Sequence, residues 1–439
     1  MTKAHPIAAL LLVLSGLIAG VHGATALERG MFGWRSAEIS GTRPLLVIWL
    51  REPDSLAPDE LGKYRSYYQD VVFGRSGTGP SGAPRGHFER SVANYYREVS
   101  GGKFAWSKAG MVGPLSVQIK GKPASEIVRL AIEAAAIESG FDFRPFDTNR
   151  DGRIAAGELA VLVIVNTPVS GRHWEDFPPD RSIVIPGQGV AFASRAAVIG
   201  ENDGFATIAR QVFRLLVPEA IDLDGSPQRC FALNTGRSLM AASNSANPAL
   251  TMHLDPWHKM MAGWVEPRIV PFGQSGKALL AAQHLSASEA ESKRPILLFD
   301  PQRGPREFFL LEYRTHSELG FDQAVVNSGL VIWQVALDGA NRPFAVPADR
   351  PNCKGEVLSV PSLFVRGGPN WQLGGNRAYA SGDGPVSLRW LDGKDSGVWV
   401  TTTANNPVEW RIEVAWTAPD PRGTPSIQLI PAATSAKRD

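Results

Sequence analysis

The sequence predicts an α/β unit followed by a β-rich unit, and three features carry that expectation. Two runs of strand length rich in branched apolar residues, Arg43-Pro-Leu-Leu-Val-Ile-Trp-Leu50 and Leu159-Ala-Val-Leu-Val-Ile-Val165, alternate with segments of helical period. Strands buried on both faces of a sheet read as continuous apolar runs of this kind. Phe205, Ile208, Ala209, Val212, Phe213 and Leu216 recur at the spacing of one helix face. Beyond about Val270 the texture changes to short strands separated by Gly, Pro and Asp turns, among them Phe308 to Tyr313, Gly329 to Val335, Pro385 to Trp390, Gly397 to Thr401 and Val408 to Ala415.

Taken in order, the run from Arg43 is a buried strand bounded by Gly41 and Pro53, Tyr64 to Phe73 is helical, and Arg75 to Pro84 is a Gly/Ser/Pro loop. A helix around Ser91 to Val99 is stopped by Gly101-Gly102. Another runs from Ser125, the cap candidate, to Ser139, with Ile127, Leu130, Ala131, Ala134 and Ile137 as its apolar face and Gly140 as its stop. Leu159 to Val165 is then central to a sheet.

Composition narrows the function. The 439 residues carry 45 Lys+Arg against 43 Asp+Glu, a formal net charge of +2, with 44% hydrophobic residues, 44 Gly and 33 Pro. That is an ordinary globular chain of two or three domains. Without a basic block it lacks the electrostatic footprint of phosphate-backbone binding, so nucleic acid is not an expected partner.

Residues 1–26 read as a signal peptide: Lys3, an apolar run from Ile7 to Ile18, and a small-residue exit at Ala24-Thr25-Ala26. The run falls short of the ~20 residues that a membrane span needs. The expectation is a secreted or periplasmic chain without a membrane span in its mature form. Cys230 and Cys353 would then sit where disulfides persist. A bridge closing that long loop, worth about 4 kcal/mol in the chain-entropy picture, and two separate buried thiols are equally compatible with the sequence.

Residues 147–158, Asp147-Thr-Asn-Arg-Asp-Gly-Arg-Ile-Ala-Ala-Gly-Glu158, follow the twelve-residue calcium loop. Asp147, Asn149 and Asp151 supply side-chain oxygens, Arg153 a backbone carbonyl, Ala155 the water-bridged position and Glu158 two oxygens, while Gly152 permits the turn. A single loop that leads into a strand reads as a structural clamp, because a sensor needs a helix pair that opens.

Several stretches together resemble the immune inhibitor A family of secreted zinc metallopeptidases, over roughly residues 43–400. They are Arg43-Pro-Leu-Leu-Val-Ile48, Asn94-Tyr-Tyr-Arg-Glu-Val-Ser-Gly-Gly-Lys-Phe104, Phe143-Arg-Pro-Phe-Asp-Thr-Asn-Arg-Asp-Gly152 and Ser238-Leu-Met-Ala-Ala-Ser243, then Trp257-His-Lys-Met-Met-Ala-Gly-Trp-Val265, Phe309-Leu-Leu-Glu-Tyr-Arg314 and Ser328-Gly-Leu-Val-Ile-Trp333. The resemblance implies a metzincin-like α/β (α+β) peptidase domain at 27–270, with the calcium loop at 147–158 inside it, and a β-rich C-terminal domain at 271–439.

It also implies an H-E-x-x-H-x-x-G-x-x-D helix, in which two His and an acid hold zinc and the Glu is the base. In this chain the ligand positions are Arg210, Arg214 and Ala220, the base is Gln211 and the glycine is Val217. Arg has no lone pair for a metal and Gln takes no proton from water, so zinc is not expected and the hydrolytic chemistry is lost. Met240 remains where the family has its methionine turn, and Gln334 stands where it often has His. The polar side chains Arg210 and Arg214 fall opposite the apolar stripe, as on an exposed helix face, with Glu219, Asp222 or Asp224 as candidate internal partners. His253 and His258 bracket Asp255, but Pro256 breaks the spacing that would align them, and they read as surface or packed histidines. No serine or cysteine nucleophile motif is present.

The expected function is thus a secreted, calcium-binding pseudopeptidase that binds an extracellular protein or peptide rather than cleaving it. Two rivals stand beside it: an active metallopeptidase or other hydrolase with unrecognised ligands, and an extracellular structural or carbohydrate-binding protein using aromatics such as Trp371, Trp390 and Trp399.

Overall fold

The computed structural model describes Phe32, Val325 and residues 38–53, 58–74, 90–168, 173–220, 238–240, 252–272, 275–282, 292–305, 307–317, 320–323, 329–336, 362–366, 386–390, 394–406 and 411–417. The signal segment, the loop from Arg75 to Pro84, Cys230, Cys353 and Trp371 lie outside these residues.

The first half is built on strands β1 (Gly41–Arg51), β2 (Phe104–Ser116), β4 (Ala160–Val165), β5 (Trp174–Asp176) and β8 (Arg195–Gly200), with helices α1 (Pro58–Phe73), α2 (Val92–Val99), α3 (Ala124–Ile137) and α4 (Phe205–Leu216). The sheet order is β2-β1-β4-β8-β5. The first four strands run parallel and β5 is antiparallel to β8. The alternation of β1 explains the continuous apolar run: Leu45, Val47 and Trp49 face Tyr68, Tyr95, Tyr96 and Phe213 on one side, while Leu46, Ile48 and Leu50 face Ile127, Val128 and Ala131 of α3 on the other. A smaller sheet, β3 (Arg153–Ala155), β7 (Ala191–Ala193) and β6 (Ile183–Val184), flanks this unit.

The second half supplies two more sheets. One has the order β14 (Ser362–Arg366), β13 (Gly329–Ala336), β12 (Glu307–Arg314), β11 (Ile296–Phe299), β9 (Arg268–Pro271). The other runs β10 (Gly276–Ala281), β17 (Arg411–Thr417), β16 (Asp395–Asn406), β15 (Val386–Arg389). Strand β12 is buried along its whole length because it is covered twice. Phe308 and Leu310 face the core of the α/β half, and Phe309, Leu311 and Tyr313 face the second sheet through Leu388, Val398, Val400 and Trp416. The molecule is therefore mixed α and β in five layers, with the short α5 (Pro256–Met261) between the α/β sheet and the sheet of β12. No described helix is long and apolar enough to cross a membrane.

Two sequence-based expectations change. Ser125 is not the cap of α3, because Pro123 holds the extended N-cap conformation and Ser125 lies inside the first turn. Ile137 belongs to no core and is 67% exposed, since the apolar face ends one turn earlier. Trp390 is a core residue, as general burial tendencies favour for an aromatic of this size, 5.0 Å between ring centroids from Phe309, while Trp399 is half-buried.

Two glycines that end helices separate backbone strain from crowding. Gly140, after α3, has φ +67° and open space where a Cβ would stand. Gly263, after α5, has φ +75° and would place a Cβ 2.8 Å from the Glu38 backbone. We expect Gly140→Ala to cost about 1 kcal/mol in urea unfolding and Gly263→Ala at least about twice that, because the second adds a clash to the same backbone cost.

Candidate functional site

Helix α4 starts after Gly204 and leaves the end of β8. Its inner face packs on α2, where the Tyr96 hydroxyl donates to the Ala209 carbonyl at 2.7 Å and Phe213 stacks on Tyr96. Thr207, Arg210, Gln211 and Arg214 share the other face at helical spacing. That face is not exposed, contrary to the sequence reading: Arg210 is 8% and Gln211 3% exposed, and Arg214 is half-buried. The helix is enclosed on nearly all sides, and its polar side chains are taken inside with it.

Gln211 Oε1 is buried and has no hydrogen-bond partner among the described residues. An orphaned buried acceptor costs about 1–3 kcal/mol until a donor reaches it. Val217 and Ala220 are buried apolar residues and Glu219 is exposed. Asp222 and Asp224 lie outside the described residues. As the chemistry of Arg210, Gln211, Arg214 and Ala220 offers no lone-pair set for zinc, the site does not fit that metal.

Met240 is fully buried beside this helix. Its segment is held by Ser238, whose hydroxyl donates to Asp255 Oδ2 at 2.7 Å and accepts from Met240 N at 3.1 Å. Asp255 in turn caps α5, accepting from His258 N at 2.9 Å, and Pro256 occupies the first helical position. Asp255 Oδ2 also accepts from His258 Nδ1 at 2.6 Å, with both side chains fully buried. Burial raises the Asp255 carboxyl, but the His258 charge and the hydrogen bonds from His258 and Ser238 outweigh it and hold the group below the usual range.

Next to this pair lies a second cluster that the sequence did not announce. Lys259 Nζ donates to His253 Nδ1 at 3.2 Å, and His253 Nε2 then donates to Glu98 Oε1 at 2.9 Å. His253 N donates to Asp322 Oδ1 at 2.9 Å. Arg314, fully buried, bridges Glu312 Oε1 and Asp322 Oδ1 at 2.9 Å each and donates to the Leu254 carbonyl at 2.8 Å. Trp333 Nε1 completes the shell on Glu312 at 2.7 Å. His253 and His258 are thus packed histidines, each with its own carboxylate, and Pro256 does keep them apart. Gln334, on the same sheet, donates through Nε2 to Glu307 Oε1. The one sequence signal for the cluster was charge inside an apolar strand, at Glu312 and Arg314.

Burial lowers the Lys259 ammonium to about 8, with Arg314 adding to the fall and Glu312, Asp322 and Asp255 opposing it. Burial would raise Asp322, but Arg314 foremost and His253 next hold it at about 2. The Lys259–His253–Glu98 chain has the connectivity of a base relay, yet Lys259 and His253 are both buried, and the charges around them make it a joint of the fold.

In the 147–158 loop, Asp147 accepts from Asp151 N at 3.1 Å and from Gly152 N at 3.0 Å, Asn149 Oδ1 accepts from Asp151 N at 3.0 Å, and Asp151 Oδ1 accepts from Arg153 N at 2.8 Å. Gly152 has φ +80°, the turn that the motif requires. Glu158 accepts from Thr148 N and Ala155 N at 2.8 Å and from Asn149 N at 3.2 Å. Partial burial raises Glu158, but these bonds and the Thr148 hydroxyl outweigh it and lower the carboxyl. Among the described residues no three His, Cys, Asp or Glu side chains gather into a metal-ligating group. The oxygen donors still suit a hard cation: Asp147 Oδ1 and Oδ2, Asn149 Oδ1, Asp151 Oδ1 and Glu158 Oε2 each accept one bond and keep a lone pair, whereas Glu158 Oε1 already accepts from Thr148 N, Thr148 Oγ1 and Asn149 N. Strand β3 inside the loop pairs in parallel with β7, and β7 leads directly into β8.

No protein-family model and no curated relative matches the chain. Among solved structures it is similar, at 13% identity and a TM-score of 0.26, to one described as "Structure of a chaperone-substrate complex", over 52% of this chain and 35% of that one. The chain spans about a third of that structure's length, and a likeness so slight fixes neither fold nor function.

The Lys259 shift has a sign that can be measured. With about 8 in the folded state against 10.5 for an ordinary lysine, the unfolded chain binds more protons between the two values, so this group makes stability rise with pH across that window. Tyr95 and Tyr96, raised by burial, act oppositely once tyrosine ionises. We therefore expect the urea midpoint of the native chain, relative to Lys259→Met, to climb from pH 8 to 9.5. A parallel pair of profiles would refute the buried-ammonium account.

Proposed function

We propose that this chain is an exported, calcium-stabilised protein of immune inhibitor A-like, metzincin-like architecture that uses its altered helix site to bind a peptide without hydrolysing it. The observation that carries this reading is the polar face of α4. Gln211 Oε1 is a buried acceptor with no donor among the described residues, and Arg210 and Arg214 share its helix face. Peptide amide groups supply such donors, and the positive charge of that face favours an acidic peptide. Strand β5 supports the same reading. It closes the sheet next to β8, and among the described residues no strand pairs with its outer edge, which suits an added strand, a recurring way in which an extended peptide is held by main-chain bonds.

Calcium at 147–158 would act as a clamp. It would tie β3, through β7, to β8 and to the entrance of β4, so the strands that place α4 would share one brace.

Binding to the folded loop alone would stabilise the chain by ~2.7 kcal/mol at a hundredfold excess over Kd. We expect chelation to lower Tm, and Asp147→Ala or Glu158→Gln to abolish the dependence. A melting curve unmoved by chelator would remove calcium from the account.

For the altered site, Arg210→Ala and Gln211→Leu should each weaken capture of acidic extended peptides while leaving the calcium response intact. Restoring His, Glu and His at 210, 211 and 214 should give little proteolysis, because Ala220 leaves zinc without its third ligand. A rival hydrolase reading draws on the Lys259–His253–Glu98 chain. Casein cleavage by the native protein, lost in Lys259→Met or on removal of stoichiometric zinc, would favour it.

A further inference from the structure

A cleft opens where the end strands of two sheets meet. Among the described residues β9 ends the five-stranded sheet beside β11, and β10 ends the four-stranded sheet beside β17, with Ala281 N also donating to the Ser292 carbonyl at 2.9 Å. Between them Arg268, Ala278, Leu280, Ser292, Arg294 and Ile296 line a volume of about 270 Å³. The lining joins apolar side chains to two guanidinium groups and a hydroxyl, and no acidic side chain lines it.

The two arginines are not equivalent. Arg294 is spent on the fold, with Nε donating to the Glu266 carbonyl at 3.0 Å and Nη2 reaching the Pro267 carbonyl at 3.4 Å. Arg268 lies against the Trp416 ring, 5.8 Å from its centroid, and its guanidinium makes no hydrogen bond or ion pair among the described residues. Stacking on an aromatic face fixes a guanidinium while leaving its N–H groups available for a bidentate partner.

We propose that this cleft binds a carboxylate on a small apolar body, with Arg268 taking the carboxylate and Ala278, Leu280 and Ile296, which share the inner face with it, the apolar part. A space below the several hundred Å³ of a drug-sized pocket suits one residue-sized group. A free amino acid is disfavoured, because its ammonium would meet cations and find no acid. The same chemistry has two sources, the C-terminal residue of a polypeptide and a short-chain carboxylic acid.

Calorimetric titration of the full chain with N-acetyl-leucine and N-acetyl-leucinamide tests the proposal. The acid should bind at least tenfold more tightly than the amide, and Arg268→Gln, on an exposed residue, should bring the acid down to the level of the amide with Tm unchanged. Ala278→Asp, which sets a like charge in the cleft, should abolish binding of the acid. Equal binding of acid and amide, no binding of either, or full affinity in Arg268→Gln would overturn the assignment. To separate the sources, N-acetyl-Ala-Ala-Leu and hexanoate are compared. A tenfold advantage for the peptide assigns a polypeptide C-terminus, and equal or tighter binding of hexanoate assigns the free acid.

Discussion

The buried guanidinium of Arg314 is the interaction on which the remaining architecture depends. It stands on β12, on the face turned toward the α/β half, where Phe308 and Leu310 make an apolar contact and Glu312 and Arg314 replace it with charge. Its donors reach Glu312 on its own strand, Asp322 in the following segment and the carbonyls of His253 and Leu254. Removing one partner of such a buried set leaves the others uncompensated, a loss of about 3–5 kcal/mol in comparable cases. The two carboxylates and two carbonyls therefore fix where the 252–258 segment runs.

From that segment the order spreads to the candidate site. Leu239 N donates to the His253 carbonyl at 3.1 Å, and Ser238 shares Asp255 with His258, so Met240 and α5 are placed together. His258 and Phe213 meet ring to ring at 5.9 Å, which seats α4 against α5. Glu98 brings α2 into the same set through His253. A polar network of this kind specifies one relative placement of its elements, since any other leaves several charges buried without partners. The enclosure of α4 follows from it: a helix pinned between α2, α5 and β8 draws Arg210 and Gln211 inside and leaves Arg214 half-buried.

Much of the fold was legible in the chain because the signals are local. The branched run Leu159 to Val165 could only be a strand covered on both faces, and Gly140 could only be a stop. The period of Phe205 to Leu216 gave the helix and its inner stripe. It misled about the outer face, because periodicity reports polarity and not cover. Ser125 illustrates the same limit on a smaller scale: its hydroxyl is a good cap, but Pro123 already held the extended conformation that the N-cap requires.

What the sequence alone determined was the composition of each surface: the alternation of β1 and β4, the loop chemistry at 147–158, and the presence of Arg, Gln, Arg and Ala at 210, 211, 214 and 220, none of which offers a zinc ligand. The tertiary structure decided which surfaces meet. Glu98, His253, Lys259, Arg314 and Asp322 are far apart in the chain and each is unremarkable alone. They become one network only when β12 is laid across α2 and α5. The same holds for Gln211, an ordinary helix residue until its acceptor is buried, and for Arg268, which acquires a cleft from β10 and a ring from Trp416. Desolvation gives these groups their energetic weight, and it is a property of the space between elements, which no single segment encodes.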